Sequence, residues 1–451
     1  MGMEISIELL TLIMFGSLLA LLMAGLPLAF VTGGLACVFL FVMGDARALN
    51  IVPSRIFPLM TNYQLSAIPL FIFMAAMLER AGIINEMFDV IYKVLGSVKG
   101  GLASATIIAS TILAAMVGVI GAAVVTMGII ALPAMLKRHY DPKIAMGSIM
   151  AGGTLGILIP PSILAIIYAV VAEQSVGELF IGAVIPGLML SGLYIAYVTL
   201  RCYVNPQLGP PIPIEDRISN ADKLRLLGNM AAPLALIVIV LGVIFSGVAT
   251  PVEAAGIGTF GAFIVAAIHR KLDWPTVREA AITTLKASAM VIWIMFGATI
   301  FVGLYVLEGG QQFVQDSLAA TGLGPWGILI LMQILLVILG MFLDWVGILL
   351  LAVPIFVPII KALGAAAFGL GDEADLVLWF GVLYLVNMQM SFLSPPFGYA
   401  LFYLRGVAPA WIPMTDIFKA ALPFLALQVT GLAICMLFPE VITWLPRLVY
   451  G

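Results

Sequence analysis

Long apolar stretches separated by short polar turns run from one end of this chain to the other. Measured against about 20 residues per bilayer crossing, they predict helical spans near 5–24, 27–43 and 62–79. The stretch 83–98 sets Glu86, Asp89 and Lys93 among apolar residues and predicts a helix lying at the interface. From Gly100 to Leu136 no polar turn occurs for 37 residues, too few for two full spans and a loop and too many for one helix. A re-entrant hairpin near 100–137 fits, its tip at Gly118–Ala123; two short, tightly turned spans are the alternative. Further spans follow near 144–172 and 179–201.

The polar, proline-rich stretch Asn205–Arg225 divides the chain, and the order then repeats. Spans near 229–248, 253–268 and 287–306 lead to a polar interfacial stretch at 307–324. A second 37-residue apolar run, Pro325–Lys361, has Gly340–Trp345 (GMFLDW) at its centre, and spans near 376–404 and 418–438 close the chain. Gly118 matches Gly340, Pro133 matches Pro354 and Pro160 matches Pro395, at separations of 222, 221 and 235 residues. Only five elements of each half cross fully, and an odd number inverts the second half relative to the first. The expected fold is an all-α polytopic membrane protein of two inverted repeats, 1–204 and 229–451, joined by a cytoplasmic linker at 205–228.

Two spans are interrupted alike, by Pro160–Pro161 within GGTLGILIPPS (152–162) and by Pro395–Pro396 within SFLSPPF (391–397). Proline lacks the N–H and clashes with the carbonyl four residues back, which releases the carbonyls of Gly156 and Ile157 in one break and of Ser391 and Phe392 in the other. In lipid such groups persist only where protein, water or a ligand satisfies them. Paired breaks in corresponding halves mark a transporter's binding site.

Composition agrees with the membrane reading: 63% of residues are hydrophobic and only 10% charged, against about 25% charged in soluble domains. The first residues carry Glu4 and Glu8 but no Lys or Arg, which is not the n-region of a cleaved signal peptide. With the N-terminus outside, sixteen Lys and Arg fall inside and only Arg47, Arg55, Lys361 and Arg447 fall outside, a strong positive-inside bias. The first hairpin then enters from the cytoplasm and the second from outside. Cys37, Cys202 and Cys435 have no metal-like spacing. No G-x-x-x-x-G-K-[ST] loop occurs, so no ATP-hydrolysing engine is encoded, and His139 and His269 both fall in predicted loops.

At each break the first half-helix offers carbonyls to a cation and the second offers N–H groups to an anion. Candidate Na⁺ positions are Gly118, Gly121, Thr154, Gly156, Gly340, Asp344, Ser391 and Phe392; candidate substrate positions are Thr154, Ser162, Asn387, Ser394 and Phe397. Asp344 is the one carboxylate deep in an apolar run, where it either coordinates a cation or caps the hairpin tip. Asn387 and Gln389 bind substrate or bridge helices. Arg405 is expected to snorkel to headgroups, and Trp326 and Trp379 to anchor span ends at the interface.

These stretches, GVIGAAVVTMGIIALPAM from Gly118, GTLGILIPPSI from Gly153, GMFLDW from Gly340 and SPPFGYALFYL from Ser394, resemble the large membrane subunit of tripartite ATP-independent periplasmic transporters. The resemblance covers essentially the whole chain. It implies Na⁺-driven uptake of organic acids across the inner membrane, delivery by a periplasmic binding protein, and a separate four-helix small membrane subunit. It also implies an elevator, in which hairpins and broken helices move as one body. Many members have Thr before the second Pro-Pro and an aliphatic residue after it. Ser394 and Phe397 stand there in this chain, which resembles a monocarboxylate branch more than a dicarboxylate one. A self-sufficient Na⁺/carboxylate symporter of related architecture is the alternative.

Overall fold

The apolar runs fold into helices whose ends are set by local capping chemistry. The computed structural model describes residues 6–117, 120–213, 219–395 and 398–451. The first part comprises α1 (Ile7–Met23), α2 (Leu28–Ala48), α3 (Ile51–Met60), α4 (Ala67–Arg80), α5 (Ile83–Leu95), α6 (Gly101–Val117), α7 (Ile120–Lys137), α8 (Pro142–Thr154), α9 (Ile163–Ala172) and α10 (Val176–Val204). The second comprises α11 (Asn220–Asn229), α12 (Ala231–Phe245), α13 (Pro251–Ile268), α14 (Trp274–Leu307), α15 (Gly310–Ala320), α16 (Pro325–Gly340), α17 (Trp345–Leu363), α18 (Glu373–Leu393), α19 (Tyr399–Val407), α20 (Met414–Leu437) and α21 (Glu440–Tyr450). Asp141 caps α8 with Pro142 at its first position, and Thr250 and Glu253 close a reciprocal capping box on α13. Both devices satisfy donors that a helix start leaves unpaired.

Among the described residues six helices (α10, α13, α14, α17, α18 and α20) are long and apolar enough to cross a membrane, and α3 with the segment Tyr63–Arg80 forms a pair bent by 59°, a broken span or a re-entrant loop. The arms α6, α7 and α16 have 17, 18 and 16 residues. At about 1.5 Å per residue they reach roughly 25 Å, short of the hydrocarbon thickness of about 30 Å.

Packing divides the helices into two groups. The hairpin α6–α7 lies against α8, and α16–α17 against α18. Helix α17 also touches α9, α7 touches α19, and α20 packs on both α8 and α18. In the second group α2 lies along α14 and α4 along α13. A Cβ on Gly297 would stand 2.5 Å from the Ala29 carbonyl oxygen and 3.0 Å from the Gly33 nitrogen, so α2 and α14 meet backbone to backbone. Helix crossings in membranes use small residues for this close approach. Leu12, Phe41, Val238 and Phe260 stand exposed on outward faces, as suits side chains facing lipid.

Several features differ from the sequence reading. Helix α14 has 34 residues and begins at Trp274, well before the span expected at 287. Helices α3, α11 and α21 had no counterpart. Trp379 is no interfacial anchor: it is fully buried, its indole N–H donates to the Cys435 carbonyl at 2.9 Å, and it packs against Trp326 and Phe368. A buried indole needs such a partner. Arg405, whose guanidinium donates to the Ile412 carbonyl at 2.5 Å, closes the turn after α19.

Surface ion pairs tie neighbouring ends together. Arg80 meets Glu279 at 3.2 Å and His269 lies 3.7 Å from Glu86; elsewhere Lys361 meets Glu373 at 2.9 Å and Arg447 meets Asp375.

Candidate functional site

Chain breaks set the geometry of the site. Helix α8 ends at Thr154, tightens into a single 3₁₀ turn at Leu155–Ile157, and α9 starts at Ile163. Ser162 closes this break from within: its hydroxyl donates to the Ile157 carbonyl at 2.5 Å, and its oxygen accepts from the Ala165 N–H at 3.3 Å. One of the carbonyls freed by the prolines is thus already satisfied. The other break is built differently, for α19 starts at Tyr399 behind Gly398, which has no side chain to cap it. Upstream, Ser394 donates to the Met390 carbonyl at 2.7 Å and Ser391 to the Asn387 carbonyl at 3.4 Å. Both hydroxyl oxygens keep lone pairs.

Hairpin tips approach these breaks through glycine. A Cβ on Gly340 would lie 2.2 Å from the Ser391 side chain, so the end of α16 presses directly on α18 before its break. Gly152 and Gly153 of α8 similarly admit Ser110 of α6 and Val124 of α7. Gly121 of α7 faces the Tyr403 ring of α19 at 3.1 Å from its would-be Cβ. Asp344 caps α17, its carboxylate accepting from the Val346 N–H at 3.3 Å.

A cavity of about 790 Å³ lies where these parts meet, bordered by Gly121, Ile163, Asp344, Trp345, Phe392 and Tyr399 together with residues of α2 and α14. Of the sequence-derived candidates, Gly121, Asp344 and Phe392 line this cavity, while Gly340 and Ser391 touch each other beside it. Thr154, Ser162, Asn387 and Ser394 do not border it and are almost wholly buried. Gly156 is buried in the 3₁₀ turn. Gly118 and Phe397 lie outside the described residues. A second cavity, about 330 Å³, sits apart from the breaks, between α5 and the ends of α11–α13.

Two buried polar groups tie the broken helices to their neighbours. Asn387 donates to the backbone and side-chain oxygens of Gln333 on α16, at 2.9 and 2.8 Å. Thr154 donates to the Ala151 carbonyl at 2.8 Å, accepts from the Gln428 amide at 3.2 Å and lies 3.4 Å from Gln389. Gln428 and Gln333 were missed in the sequence. Each is a lone polar residue in an apolar run, and only its partner on another helix gives it meaning.

The architecture has relatives among solved structures. The chain resembles the crystal structure of the Alcanivorax borkumensis YdaH transporter, with a TM-score of 0.64 over 95% of this chain and 99% of that one at 15% identity. The two chains therefore share a fold. A family model described as tripartite ATP-independent periplasmic transporter, DctM component, matches residues 15–441. The chain belongs to this family, as a multi-pass membrane permease subunit and not an enzyme. It is 32% identical over 413 residues to the C4-dicarboxylate TRAP transporter large permease protein DctM of Pseudomonas aeruginosa, covering 91% of this chain and 92% of that one. It is 29% identical over 418 residues to the sialic acid TRAP transporter large permease protein SiaM of Vibrio cholerae, covering 92% and 93%.

Proposed function

We propose that this chain moves a small organic acid inward across the bacterial inner membrane, coupled to Na⁺, after a periplasmic binding protein has delivered it. The observation that carries this reading is the convergence of hairpin tips and helix breaks on one cavity, through Gly121, Ile163, Asp344 and Phe392. Carbonyl ends favour a cation and N–H ends an anion, so such a junction suits a cation and a carboxylate held together. Na⁺ takes hard oxygen donors, and the Asp344 carboxylate with the Ser391 and Phe392 carbonyls supplies that chemistry beside the cavity. The uncapped first turn of α19 suits the acid group. Both relatives above are named for carboxylate-bearing substrates.

We further read the halves 1–204 and 229–451 as inverted repeats about the linker 205–228, with the N-terminus periplasmic. The reciprocal packing of α2 on α14 and of α4 on α13 supports this, since inversion exchanges one pair for the other. Hairpins α6–α7 and α16–α17 would then be re-entrant from opposite sides. Together with the broken helices they would form the moving body of an elevator, set against α2, α4, α13 and α14. A small four-helix membrane subunit and the binding protein complete the tripartite assembly.

The test is uptake of labelled organic acids into proteoliposomes holding this chain and its small subunit. Uptake should need both an inward Na⁺ gradient and the binding protein. Na⁺-dependent uptake without the binding protein would favour the self-sufficient symporter, and uptake indifferent to Na⁺ would refute the coupling.

A further inference from the structure

The cavity's walls carry chemistry that none of the named relatives prescribes. On the side of the second break, Phe392, Tyr399 and Tyr403 form a ladder with ring centroids 5.7 and 6.4 Å apart. Across the cavity, Phe30 of α2 and Trp293 of α14 pair at 6.1 Å, and Trp345 borders the space at the tip of the second hairpin. Among the described lining residues Asp344 is the only charged one, and none of them is Lys, Arg or His. The Tyr399 and Tyr403 hydroxyls make no hydrogen bond to another described residue.

Resting on the organic-acid reading above, we propose that the substrate is a monocarboxylate with an aryl body, not a C4 dicarboxylate. Aromatic walls on two sides offer stacking and edge contacts to a ring, at little cost in side-chain entropy because tyrosine and phenylalanine have few rotamers. Two phenol donors, Tyr399 and Tyr403, supply charge-assisted hydrogen bonds to one carboxylate. A second carboxylate would have no cationic side chain to meet it, and it would add a negative charge beside Asp344, where repulsion is poorly screened. The volume of about 790 Å³ accommodates a ring and its side chain with room to spare.

The experiment uses the full chain in lipid nanodiscs, with thermal unfolding and calorimetric titration in NaCl and in choline chloride. The probes are phenylpyruvate, 3-phenylpropionate, pyruvate and succinate. In Na⁺, the two aryl acids should stabilise the protein at concentrations at least about tenfold below those needed for pyruvate or succinate, as ring burial predicts. Tyr399→Phe and Tyr403→Phe keep the rings and remove the donors. Each should raise the half-saturating concentration of phenylpyruvate about tenfold, the loss of one hydrogen bond to a charged group, without changing the unfolding midpoint of the unliganded protein. Succinate binding as well as or better than the aryl acids would overturn the aryl inference and leave the transporter reading standing. So would unchanged phenylpyruvate affinity in both tyrosine variants. Stabilisation by none of the four acids in NaCl would instead remove the Na⁺–carboxylate reading and the inference with it.

Discussion

Asp344 holds two positions at once, capping α17 through the Val346 N–H and bordering the cavity. Asp344→Asn separates the two, because asparagine caps nearly as well but carries no charge. Uptake by this variant should need roughly tenfold to a hundredfold more Na⁺ for half-maximal rate, since losing a contact to a charged group costs about 1.5–3 kcal/mol. An unchanged Na⁺ dependence would leave the carboxylate with capping alone. Gly340 is the other sharply placed residue. Gly340→Ala drives a Cβ to within 2.2 Å of the Ser391 side chain, and such overpacking costs about 1–3 kcal/mol. Gly16→Ala is the matched control, for nothing lies within 4 Å of that site and alanine is the better helix former. The unfolding midpoint should fall for Gly340→Ala and hold or rise for Gly16→Ala; equal midpoints would mean that the hairpin end is not tightly held.

At the scale of elements, the two Pro-Pro breaks separate chemically. The first is closed by Ser162, while the second leaves α19 without a side-chain cap. Replacing Pro160 and Pro161 together with alanine restores the missing N–H groups and lets α8 run on toward α9. Uptake should be lost while the unfolding midpoint is retained or raised, and retained uptake would show that this break is dispensable. That helices stop and restart near the middle of each 37-residue run and near each Pro-Pro pair was legible in the sequence, because such stretches have few physical solutions in lipid. Helix α14 was not, since hydropathy reports contact with lipid and its first turns, with Arg278, Glu279 and Lys286, are polar although helical. Trp379 was misread for a related reason: an aromatic near a span end looks the same in sequence whether it meets headgroups or another helix. The site candidates were legible only by neighbourhood. Thr154, Ser162 and Ser394 stand close to the breaks in the chain, yet their hydroxyls donate to backbone carbonyls and none of the three borders the cavity.

For the whole molecule, topology and motion make separate claims. With the N-terminus periplasmic, a single cysteine at Ser219, introduced after Cys37, Cys202 and Cys435 are replaced, should label only from the cytoplasm; labelling from outside would undo the inverted arrangement. Motion is tested where the second hairpin touches the opposing helices, at Gly347 against Leu28. Cysteines at these two positions, joined through disulfides by a short bis-methanethiosulfonate linker, should stop uptake until a reductant cleaves the disulfides and frees them, and uptake that survives a verified link would exclude a moving hairpin. The crossing at Gly33 and Gly297 bears on the same question. Two rods packed at that distance resist sliding past one another, so in the proposed elevator α2 and α14 would be the rail on which a carriage runs. A rail has to keep its gauge. A bulky side chain at Gly297 would splay the track while sparing the carriage, and solute should then slip past ungated, making the membrane leaky before transport stops.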